Sequence, residues 1–324
     1  TYGLHADLSG CVYRDQALLS GCVYAADVSL RECQYRGNIA DFSGCVYREN
    51  ADLAGSIYEG ATDFSQSVWH GKARLTGCMY FKNVNFASST YRERADFGGS
   101  TFNRDTDFSG STYRGWADFR NSAYQGRAGF TDSIYQGWAY FTGSTYKDIA
   151  YFTDSTYQGW ANFSRSTYKS GANFSRSTYK DVADFSGSIF YQKVYFGADG
   201  DNSSFSRFTD CTPQFSNENS HQNTLFGSPN NNFIVDTDKG YPINLNSEGL
   251  PLGCAFLTAE QKEYLEDKFH EIDETKNKFR EVKDPKEKAE LSKKLQALTE
   301  ELHEWREEAT TVKVEGTALG KDNN

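Results

Sequence analysis

A phenylalanine or leucine recurs every eleven residues from Leu8 through Leu19, Leu30, Phe42 and Leu53 to Phe174, Phe185 and Phe196, and one step, Leu30 to Phe42, is 12 residues long. A period this short and this constant is the signature of stacked structural units that share one continuous core. In the unit Thr106–Trp116, TDFSGSTYRGW, a small residue precedes the large one by two positions, as at Ala6, Ala17, Thr62, Val84, Ala183 and Val194. The sixth position is Ser or Cys from Cys11 to Ser188. The eighth is aromatic from Tyr13 to Tyr179, with Trp69, Phe102 and Phe190 as substitutes.

Each unit therefore holds two small-x-large triplets, and alternation at period two turns both residues of a triplet to the same side of a short strand. Gly10, Gly44, Gly110, Asn121 and Asp132 follow the first triplet, and Gly37, Gly60, Gly115 and Gly159 follow the second. These residue types accept the left-handed backbone of a tight corner. Trp116, Trp138 and Trp160 stand 22 residues apart, while the intervening units carry Arg127, Ile149 and Gly171. Alternation at that spacing predicts two units per coil and hence four faces. Eighteen units give about nine coils, a rod of roughly 40–45 Å at ~4.8 Å per strand. The fold class is mainly β: a solenoid over residues 1–198.

Triplets such as Ala95-Asp96-Phe97 and Ala183-Asp184-Phe185, in units like ADFSGSIFYQK, resemble the pentapeptide-repeat family, and more closely its 11-residue variant. The resemblance implies a right-handed quadrilateral β-helix and says little about function. The Tyr column departs from the family's usual Leu or Phe and brings phenol hydroxyls near the core. Each then needs a partner, which the neighbouring Ser column or the corner backbone is expected to supply.

The net charge of −10 is uneven: residues 1–200 are almost balanced, and the acidity lies in the remainder. Seven cysteines without compact spacing are poor material for a disulfide framework. Cys11, Cys22, Cys33, Cys45 and Cys78 occupy the position otherwise held by Ser, so small, buried, reduced thiols and a cytoplasmic setting are expected. No apolar run is long enough to span a bilayer. Thr1 stands already inside the repeat, so a lost N-terminal segment, export signal included, is part of the expectation.

Beyond Phe196 the rhythm fails, and Phe205, Phe208, Phe215 and Phe226 follow no fixed spacing. Residues 199–257 read as a cap and connector. Asp199, Gly200, Asp201 and Asn202 hint at a Ca²⁺ loop but lack its terminal acidic ligand, so a solvated turn is the reading. Residues 258–309 read as an antiparallel helical hairpin, and 310–324 as a flexible tail. Thr258 and Gln261 fit a capping box. Leu265, Phe269, Ile272 and Phe279 recur at helical steps with Lys276 at a seam position, and Asp284-Pro285 restarts the pattern. Leu291, Leu295, Leu298, Leu302 and Trp305 then alternate four and three, a coiled-coil seam expected to serve assembly or docking.

No catalytic constellation, metal-ligand spacing or phosphate-binding glycine loop emerges, so neither an enzyme nor a cofactor is expected. Asp41, Asp52, Asp63, Asp96, Asp107 and Asp118 form a carboxylate row, read as local corner hydrogen bonding. Lys147, Arg165, Lys169, Arg176 and Lys180 read as an ordinary solvated face. Trp116, Trp138 and Trp160 lie outside the inward pairs. Either they form an exposed aromatic strip, or each indole folds over its corner to shield the Tyr column. The expected function is a non-enzymatic scaffold that binds a protein partner or itself. The alternatives are a secreted or injected effector, carbohydrate binding through the Trp strip, and the topoisomerase-inhibiting DNA mimicry that the resemblance implies. The near-neutral rod makes that last role, and nucleic-acid partners in general, the least expected.

Overall fold

A computed structural model describes residues 6–197, 205–217, 222–282 and 285–311. Asp199 to Asn202, Asp284, His5, His221 and the tail beyond Thr311 lie outside the described residues. The repeat folds into four parallel sheets of two- and three-residue strands. The first sheet runs from Ala6–Asp7 to Ala183–Asp184, the third from Ala17–Leu18 to Val194–Tyr195, and the fourth from Val23–Tyr24 to Arg207–Phe208, each nine strands deep. The second sheet begins at Val12–Tyr13 and reaches eleven strands by adding Leu225–Phe226 and Ala255–Phe256. Strands pair 22 residues apart, as Ala95 with Ala117 and Thr90 with Thr112, so a coil is two units and its section has four sides.

Inside, like stacks on like. Tyr113 lies 4.9 Å from Tyr91 and from Tyr135, with ring planes within 2° of parallel. Phe119 is stacked between Phe97 and Phe141 and meets Phe108 and Phe130 edge-on. Columns of parallel, offset rings joined by edge contacts use both favourable aromatic geometries.

The Ser/Cys column is explained by its hydrogen bonds. Ser100 Oγ donates to the Leu75 carbonyl at 3.0 Å and accepts the Cys78 N–H at 3.1 Å. Cys33, Cys45 and Cys78 use Sγ in the donor role, toward the carbonyls of Leu8, Leu19 and Leu53. The Ser hydroxyls thus give their one proton to a carbonyl and accept a backbone N–H, and they do not pair with the phenols. Tyr35, Tyr47, Tyr58 and nine more as far as Tyr179 are buried with no hydrogen-bond partner. The expectation of a Ser or corner partner is therefore corrected. Ring stacking holds this column, and burial pushes the phenol pKa values far up, so the groups stay neutral.

The two corner positions differ in kind. From Gly10 to Gly187 the residue two after the large one is left-handed, whether Gly (Gly44, φ 64°) or not (Asn121, φ 55°; Arg165, φ 54°). Glycines after the second triplet are needed for space instead. A Cβ on Gly137 would lie 2.5 Å from the Gly115 carbonyl oxygen, which is backbone and cannot move aside. The Asp row serves the first corner, as when Asp41 Oδ1 accepts the Ser43 N–H at 2.9 Å and Asp63 that of Ser65 at 2.8 Å.

The boundary at 198 marks the end of even spacing, and the solenoid continues past it. Phe208, Phe215 and Phe226 stack on Tyr179, Phe185 and Phe190 at 4.7, 5.1 and 5.4 Å. The unevenly spaced phenylalanines prolong the columns because the connections between them change length while the inward sites do not.

All seven cysteines are free thiols. Cys33, Cys45, Cys78 and Cys254 are buried, and burial pushes the Cys45 thiol up to about 11 and those of Cys78 and Cys254 to about 12. Cys11 and Cys22, in the first coil, and Cys211 are only half-buried. A maleimide reagent at pH 8 is expected to label those three in the native protein and the other four only on unfolding. Mass spectrometry of the labelled peptides checks this, and rapid native labelling of Cys78 would show the core to be open.

Candidate binding surfaces

Two helices complete the molecule: α1, Ala259–Glu281, and α2, Pro285–Thr310. The capping box is formed, with Thr258 Oγ1 accepting the Gln261 N–H and Gln261 Oε1 accepting the Thr258 N–H. The pair lies along the outer side of the second sheet. Leu265, Phe269 and Ile272 of α1 and Leu298 and Leu302 of α2 close around Ile189, Leu225 and Leu257. Leu291, Leu295 and Trp305 are half-buried, and Trp305 stacks on Tyr264 at 4.7 Å. Leu298 and Leu302 thus find their cover within the chain. The two strands that lengthen the second sheet supply an apolar landing site that the repeat pattern did not reveal.

The basic residues at the end of the array meet this hairpin. Lys147 and Lys169 both pair with Asp273, Lys169 Nζ sits 4.8 Å above the Phe269 ring, and Arg165 reaches Glu307 at 4.0 Å. Arg176 instead pairs within the rod, with Asp154 at 2.6 Å. The solvated-face reading is corrected for Lys147, Arg165 and Lys169. Charge asymmetry between array and tail was the available signal. Lys276, the polar residue on the α1 seam, is buried and donates to Gln125 Oε1 at 2.8 Å, which ties the helix to the solenoid rather than to a second helix.

His303 on α2 faces Thr145, with Nε2 3.4 Å from Oγ1. Burial, then the Arg306 cation, lowers its pKa to about 4. Above the ordinary value of about 6.5 it is neutral whether docked or unfolded, and its charge does not affect stability. As pH falls from there toward 4 the unfolded chain gains a proton that the docked residue refuses, so hairpin stability declines across that window. Helical circular dichroism melts at pH 7 and pH 4.5 are expected to differ by several degrees. His303→Gln should remove much of the difference.

On the corner between the fourth and first sheets, Trp116 and Trp138 stack at 5.2 Å with an interplanar angle of 8° and are 48% and 42% exposed. Trp160 meets Trp138 edge-on at 6.0 Å and is half-buried. Tyr140 packs against all three indoles and lies under Arg120, which is paired with Asp118. The Tyr column is sealed without their help, because the coils above and below cover it.

A groove of about 1010 Å³ opens between α2 and the second sheet. It runs from Gly77 and Met79 past Thr101 and Ala123 to His303 and Arg306. The sequence reading overlooked Arg306. Its one visible sign is a cation four residues beyond Leu302, on the stripe itself.

The fold and surfaces define a four-sided parallel β-solenoid with a helical hairpin docked on one side. No family model, curated protein or solved structure matches the chain. Among the described residues no helix is long and apolar enough to cross a membrane.

Proposed function

We propose that the protein is a non-enzymatic binding scaffold, a rod of the pentapeptide-repeat class whose indole ladder meets a protein partner. The carrying observation is the exposed, parallel Trp116–Trp138 pair on a rigid corner. Stacking sugars need open ring faces, but here the facing surfaces of these two indoles are turned toward each other. The exposed remainder of the ladder is an apolar ribbon suited to a protein surface. The Asp row, turned into corner hydrogen bonds and Arg pairs, leaves a poor mimic of duplex DNA. Seven free thiols support a reducing compartment.

A photoreactive residue placed at Gln136, exposed beside the ladder, tests this in extracts of the source cells. One protein adduct, or a second copy of the chain, is expected, and Trp116→Ala with Trp138→Ala should abolish it while changing stability by less than about 1 kcal/mol. Persistence of the adduct in the double variant would overturn the reading. So would loss in that variant of binding to an immobilised glycan panel, with no protein adduct.

A further inference from the structure

The groove between α2 and the second sheet contains a cation that the protein itself only partly satisfies. Arg306 is 3% exposed. Its Nη2 donates to Glu307 Oε1 at 2.8 Å, while Nε and Nη1 have no acceptor. Glu307 is shared, since its second carboxylate oxygen accepts from Gln222 Nε2 and Arg165 stands 4.0 Å away. A buried guanidinium with two idle nitrogens is costly unless an acceptor reaches it. The groove that ends on this residue has apolar walls from Met79, Phe81, Ala123, Ile272, Phe279 and Leu295. Between them stand the carboxamides of Asn103, Asn121, Gln125 and Gln296, of which Asn103 Nδ2 donates to the Tyr80 carbonyl and Gln125 Oε1 accepts from Lys276. Carboxamides both donate and accept, which matches the alternating groups of a peptide backbone and serves no purpose for an alkyl chain.

We propose that this groove binds an extended peptide segment of a partner protein, with apolar side chains against its walls and an acidic side chain on Arg306. The site is distinct from the indole ladder. The ladder lies at one edge of the first sheet and the groove begins at the other, so either can fail alone. An incoming carboxylate supplies the acceptor that Arg306 lacks, and a charge-assisted bond in a partly desolvated site is the strong kind. Lys82, Arg104 and Lys276 line the groove with Arg306, and against Glu300, Glu304 and Glu307 they leave the cations in excess by one.

The test is fluorescence anisotropy on the full chain with dye-labelled hexapeptide pools of Ala, Leu and Thr, one with a fixed central Glu and one with Gln in its place. Decanoate serves as the non-peptide carboxylate. The Glu pool is expected to bind at least about tenfold more tightly than the Gln pool, and Arg306→Gln should erase that preference. Because Arg306→Gln can also loosen the hairpin, Ala123→Trp provides a second variant that fills the groove from the solenoid side and leaves Arg306 in place. It should abolish Glu-pool binding with helical circular dichroism unchanged. Equal binding of the two pools, binding of neither, or Glu-pool binding that survives Ala123→Trp would overturn the proposal. Arg306-dependent binding of decanoate without binding of either pool would do so as well.

Discussion

Replacing Phe119 or Phe141 with alanine is expected to destabilise the solenoid by about 3–5 kcal/mol, the range for a fully buried aromatic. Both side chains are wholly buried, and each touches four other phenylalanine rings, two face-on and two edge-on. The neighbouring coils are locked by backbone pairing at a fixed spacing and cannot collapse into the gap, so the cavity persists. Because each coil contacts only its neighbours, the loss falls on one pair of interfaces in the middle of the rod and can split cooperative unfolding into two steps. Urea melts followed by near-ultraviolet circular dichroism measure it. A loss below about 1 kcal/mol would mean that the column is not the core.

Leu302→Asp is expected to release the hairpin while the rod stays folded. Leu302 is completely buried in the cluster that joins α2 to α1, Ile189 and Leu225. Removing its side chain alone costs about 2–5 kcal/mol, and an unpaired carboxylate there adds its desolvation. The remaining contacts of the hairpin with the solenoid include the Lys147–Asp273 pair, the Lys276–Gln125 hydrogen bond and the Phe81–Phe279 stack, and partly exposed ion pairs contribute little each. Helical ellipticity should fall and protease sites between 258 and 310 should open, while the thermal transition of the solenoid stays in place. Loss of both transitions together would falsify the separation into two modules.

Much of the solenoid could be read directly from the sequence because its contacts repeat. Once Phe108 and Phe119 occupy equivalent sites, one unit defines all of them, and the 22-residue spacing of the tryptophans alone was enough to give the four sides. The hairpin was legible for a different reason: helix caps and seam spacing are local signals, and Thr258, Gln261 and the Leu row express them within a few residues.

What the sequence by itself determined is thus the inward half of the molecule: which residues stack, how many make a coil, and where the helices run. Only the tertiary structure decided what the outward half does. Leu302 reads as a seam residue whether its cover is another copy or Ile189 and Leu225, and no local rule distinguishes the two. Lys147 and Asp273 are 126 positions apart, and their pairing exists only because the chain folds back along its own second sheet. Arg306 looks like any helix-surface cation until that fold-back buries it at the end of a groove. Trp116 and Trp138 were two possibilities in the sequence and became one surface in the structure. Core sites are set by periodicity along the chain. Surfaces are set by which distant segments meet, and the repeat carries no record of those meetings.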